Sequence, residues 1–111
     1  MKYTKNLPQI MPLRNAAWVT IAANEFELQF SDRMLLRLHI PMSAKSKPSV
    51  RLVPYVKTIH GVVAPGAPID LPLPNDRDVN TAKANALSIA IAYFDEMAMN
   101  AELIRDALKQ V

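Results

Sequence analysis

Cysteine is absent from this 111-residue sequence. That absence removes disulfides and thiolate metal sites together and fits a reducing compartment, so the cytoplasm is the expected location. Glycine is nearly absent too: with only two in the chain, no glycine-rich phosphate cradle and no glycine-flanked nucleophile turn can be built. Aromatic residues make up 6%. No long hydrophobic run occurs either. The longest uncharged apolar-rich stretch, 84–94, includes Asn85 and Ser88 and falls far short of the roughly 20 residues that span a bilayer. Near the start, Pro8, Pro12 and Arg14 interrupt the apolar run that a signal peptide would need.

What is present is unevenly distributed. All nine prolines and both glycines lie in residues 1–74, and residues 77–111 contain neither. Such a division predicts a β-type, loop-rich first part followed by one long helix. The net charge of +3 is divided in the same way: residues 1–76 hold nine Lys/Arg against five Asp/Glu, whereas residues 77–111 hold four against five. The basic character belongs to the β part. With half its residues hydrophobic, a chain of this length can bury about two thirds of its unfolded surface and needs no covalent staple to fold as a single domain over 1–111.

Residues 1–15 read as an irregular arm. Trp18, Val19, Thr20 and Ile21 are a β-branched and aromatic run suited to a first strand, with Trp18 assigned to the core and Asn24 and Glu25 to the turn that follows. Residues 26–30 alternate apolar with polar. Over 33–40, Met34, Leu36, Leu38 and Ile40 alternate against Arg33, Leu35, Arg37 and His39. A period of two marks strands with one buried face, and Ser31 and Asp32 between the runs make a hairpin the economical reading. Pro41 to Ser49, with Lys45 and Lys47, reads as an exposed basic loop. Strand character resumes over 50–63, where Pro54 lacks a ladder donor and predicts an edge, a bend or a bulge. Residues 64–76, with four prolines, are expected to cross the surface in extended or polyproline form. Asp76, Asp78 and Asn80 all qualify as helix caps. The expected fold is therefore α+β: a small antiparallel sheet of three to four strands over 16–63, packed against one long C-terminal helix over 77–111.

Within the helix, Leu87, Ala90, Phe94, Met97, Ala101, Ile104, Leu108 and Val111 recur at alternating spacings of three and four. This is the spacing of a coiled-coil seam. A helix from about Asp78 to Gln110 is roughly 50 Å long, against about 27 Å for an eight-residue strand. Its first half is expected to lie along the seam on the chain's own sheet. Its far end either folds back near Asn100 or packs on another chain, which makes Met97, Ala101, Ile104, Leu108 and Val111 a candidate dimer seam.

The chemistry-bearing residues are few. His39 and His60 have no His, Asp or Glu at helical ligand spacing, and Asp95 and Glu96 point about 100° apart on a helix, so neither metal binding nor paired acid–base work is encoded. No cofactor is implied, and an enzyme is not expected. The most suggestive set is Arg33, Arg37 and His39 on one strand with Arg51, Tyr55 and Lys57 on another. On a shared sheet face these would form a basic surface with one aromatic, able to hold phosphates and stack a base. A solvated sheet face accounts for the same residues. The leading reading is a small non-catalytic binding or adaptor protein, dimeric through its helix and meeting an unknown protein partner. A nucleic-acid-binding accessory protein is the second, and a stand-alone inhibitor of the kind carried by mobile elements the third.

Overall fold

The order of elements in the computed structural model, which describes residues 12–13, 15–57 and 63–111, is six strands and then one helix. The strands are β1 (Trp18–Ala22), β2 (Glu25–Gln29), β3 (Met34–His39), β4 (Ser49–Lys57), β5 (Val63–Pro65) and β6 (Ile69–Leu71), and the helix is α1 (Val79–Leu108). Antiparallel pairing runs β1-β2-β3-β4, after which β6 pairs the first half of β4 and β5 its second half. The sheet thus has five positions, the last shared by two short strands. The architecture is α+β as expected, with more strands than the three to four anticipated.

The difference lies in the proline-rich segment. It does not merely cross the surface: residues 63–65 and 69–71 return to β4. Four prolines concealed this, because proline lowers strand propensity, yet strands of three residues need few donors. Pro54 shows the same point from the partner's side. It sits inside β4, which has neighbours on both sides, and so is not at an edge. β4 pairs β6 at Val50–Leu52 and β5 at Tyr55–Lys57, and Pro54 falls between those two ladders. Its carbonyl accepts from Gly66 N–H at 2.6 Å on the β5 side. A residue's N–H and C=O point to the same side of a strand, so the missing donor faces the place where the partner changes.

Register assigns the two faces. Phe26, Leu38, Val50 and Leu71 form one cross-strand row and Leu28, Leu36 and Leu52 another. Both rows lie in the core beneath α1, and Trp18 packs at its margin while Val19 and Ile21 are exposed. The turn between β1 and β2 holds Asn24 at φ 61°, in the left-handed region that asparagine tolerates better than most residues. Leu35 and Val53, 3% and 5% exposed, are buried on the opposite face, away from the helix. Arg37 and Arg51 are paired one step along on that same face.

Helix α1 meets the sheet through alanine. Ala82, Ala86 and Ala90 are its buried residues, and Ile89 and Tyr93 pack partly against the core. Their spacing of three to four defines a face that shares only Ala90 with the expected seam. The sheet supplies the bulk, as leucine, phenylalanine and valine, and alanine lets the helix axis approach closely. The helix is unbroken through Asn100.

Asp78 is the N-cap: its carboxylate accepts from Thr81 N–H at 3.0 Å and from Thr81 Oγ1 at 2.9 Å. The hydrogen bond from the Thr81 backbone amide, followed by that from its hydroxyl, holds the Asp78 carboxyl below the usual aspartate value. A group with a lowered folded-state pKa stabilises above its unfolded pKa, and that contribution is lost as pH falls through the folded value. Asp78→Ala should therefore lower the melting temperature at neutral pH, with the gap to wild type closing as acid protonates the cap. Thermal melts of both proteins across an acid pH series measure this.

Candidate functional site

Two surfaces carry the candidate residues. On the sheet face away from α1, the register places Val19, Glu27, Arg37, Arg51 and Asp70 in one row across β1, β2, β3, β4 and β6. Each arginine has a carboxylate. Arg37 donates from Nε and Nη2 to Glu27 Oε1 at 3.0 and 2.6 Å, and Arg51 Nε lies 2.7 Å from Asp70 Oδ1. In the neighbouring row His39 Nδ1 is 3.5 Å from Glu25 Oε1. That nitrogen is shielded from solvent and makes no hydrogen bond. Glu25, Arg37, His39, Ser49 and Arg51 line a shallow polar hollow of about 300 Å³.

The candidate basic residues do not form one patch. Tyr55 N–H donates to the Arg33 carbonyl at 2.6 Å, which puts those two side by side, and Arg33 Nε stands 4.0 Å from Asp32. Between them and the Arg37–Arg51 row lie Leu35 and Val53, which pair with each other, and four residues of strand separate the two groups by about 13 Å. The side chain of Lys57 lies outside the described residues, as do His60 and most of the N-terminal arm. A phosphate approaching Arg37 or Arg51 must therefore compete with carboxylates already in place. The sequence concealed this, because Glu27 and Asp70 become neighbours of the arginines only through cross-strand register.

The second surface is the helix. Beyond Tyr93 every residue of α1 is exposed. Met97, Ile104 and Leu108 are 51%, 62% and 68% exposed, on one stripe with Ala101; the helix ends at Leu108, short of the expected 111, so Val111 follows it beyond the cap at Lys109. A helix of 30 residues is about 45 Å long at 1.5 Å per residue, and its second half has left the sheet behind. The stripe joins an apolar groove where the helix departs, of about 200 Å³, lined by Leu28, Phe30 and Leu36 of the sheet and by Leu87, Ala90, Ile91 and Phe94 of α1. Its wall includes an edge-to-face contact of Phe30 with Phe94, centroids 6.0 Å apart. No polar atom contributes to the groove surface. Sequence reasoning missed Phe30 and Ile91 as members of this surface. Phe30 follows the strand and looks like the last residue of an ordinary alternating run.

Among the described residues no group of three His, Cys, Asp or Glu is placed to hold a metal ion, and no helix is long and apolar enough to cross a membrane. Comparison with known proteins gave no match, whether to protein-family models, to curated proteins or to solved structures.

Proposed function

We propose that this chain is a small non-catalytic binding protein that self-associates through its C-terminal helix. One observation carries the reading: an apolar stripe at coiled-coil spacing, from Met97 to Leu108, that the chain's own sheet does not cover. Scattered exposed apolar residues are ordinary on a monomer, but a continuous stripe joined to an apolar groove marks a contact surface. Short helices standing free in water are marginal, and most helical stability comes from packing an apolar face. A second copy supplies that packing. Two associated copies hold two sheets at a fixed separation, each offering its exposed Arg37–Arg51 row to a protein partner. The cytoplasm is the proposed compartment, on the cysteine-free composition.

Light scattering over a range of concentrations tests the proposal directly. A mass of twice 12.4 kDa, falling towards the monomer only on strong dilution, is the expected result. A monomer at high concentration overturns it.

A further inference from the structure

The eight seam residues do more than repeat; they are arranged to meet their own reversed copy. Assigning a to Leu87, Phe94, Ala101 and Leu108 puts Ala90, Met97, Ile104 and Val111 at d. In an antiparallel pair of helices each a layer faces a d of the partner. One register satisfies all layers at once: residue i opposite residue 198 − i, which sets Ala90 against Leu108, Phe94 against Ile104 and Met97 against Ala101 of the second copy, with Leu87 opposite Val111 just past the helix end at Leu108. Each alanine then faces a large residue. In the parallel arrangement Ala101 faces Ala101 and Ala90 faces Ala90, while Phe94 and Met97 face their own copies. Those layers alternate between void and crowding, and both are unfavourable.

The groove makes the same selection. Leu87, Ala90 and Phe94, the helix residues that would receive Val111, Leu108 and Ile104 of the second copy, are three of the residues lining it. Ala90 is 6% exposed and leaves room beside Leu28 and Leu36 for a leucine. Charge agrees: at this register Arg105 of one copy flanks Asp95 of the other, and the present neighbour of Arg105, Asp106 at 3.5 Å, is an exposed pairing that costs little to exchange.

We infer that two copies associate antiparallel about a two-fold axis near Met99, the end of each α1 filling the apolar groove between the sheet and helix of the other. This rests on the self-association proposed above and fixes its geometry. The contact is isologous and closes at two copies, with no free seam left to propagate a filament.

Because the chain has no cysteine, single cysteines report the orientation. Phe94→Cys mixed with Ile104→Cys should give a disulfide-linked heterodimer under mild oxidation, while neither variant links to itself. At this register a residue 94 or 104 stands about 15 Å along the axis from its own copy, beyond the roughly 7 Å Cα separation a disulfide spans. A self-linked Ile104→Cys dimer overturns the antiparallel geometry and leaves self-association standing; a wild type that is monomeric by light scattering overturns both. Charge exchange gives a readout that does not depend on Phe94. Asp95→Arg should weaken dimerisation about three- to tenfold, and adding Arg105→Asp should restore it. These residues are too far apart on one helix to meet within a chain, so absence of restoration in the double variant overturns the register.

Discussion

Ile104→Glu combined with Leu108→Glu should yield a folded monomer. The two side chains are 62% and 68% exposed, so neither contributes much to the fold of its own chain, and most of their apolar surface remains to be buried in an associated form. Burying one such side chain is worth about 1.5–3 kcal/mol. A symmetric contact loses four of them and must in addition desolvate four carboxylates. The dimer dissociation constant should rise by about 10³-fold or more, since each 1.4 kcal/mol is tenfold. Sedimentation velocity should show the monomer at concentrations where the proposed wild-type dimer forms. Far-ultraviolet circular dichroism should change only through fraying of the last helical turns, where no partner supports them. Loss of the sheet signal in this variant would mean that the helix end serves the fold of its own chain.

The largest loss of stability should come from Leu38→Ala. Leu38 is fully enclosed, 0% exposed, between Phe26 and Val50 in the row that continues to Leu71, within the core that Ala82 and Ala86 of α1 also enter. Removing its methyl groups loses their transfer free energy and leaves a cavity, because the row is held on both sides by ladder hydrogen bonds and cannot collapse. Core leucine truncations cost about 2–5 kcal/mol, against a total of about 5–15 kcal/mol for a domain. For a chain of this size that lowers the melting temperature by roughly 10–30 °C. Leu103→Ala is the control: 64% exposed on the helix beyond the sheet and off the seam, it should change stability by less than about 0.5 kcal/mol. Thermal melts of the two variants beside wild type measure both. A large effect of Leu103→Ala with a small one of Leu38→Ala would contradict the layered core described above.

Some of this was legible before folding because it depends only on neighbours along the chain. Period-two alternation over 26–30 and 33–40 names the strands and their buried faces, as side chains of a strand alternate whatever its partners are. The absence of glycine and proline after Pro74 names the helix, and Asp78 is one of three caps the local sequence allowed. The three-four spacing names an apolar stripe along the helix by the same local arithmetic.

What only the tertiary structure decided depends on residues far apart in sequence. Pro54 could sit in an inner strand because β5 and β6 exchange places beside it, and the proline-rich segment paired because β4 offered a free edge. Arg37 and Arg51 gained carboxylate partners because register brought Glu27 and Asp70 beside them. Above all, periodicity could not say which stripe of α1 lies on the sheet. Alanine carries almost no hydrophobic signal, yet the face of Ala82, Ala86 and Ala90 is buried, because the sheet below is already filled with large side chains and only a small-residue face approaches closely enough. The larger apolar stripe, which by sequence alone was the obvious candidate for the core, was thereby left facing outward over its second half.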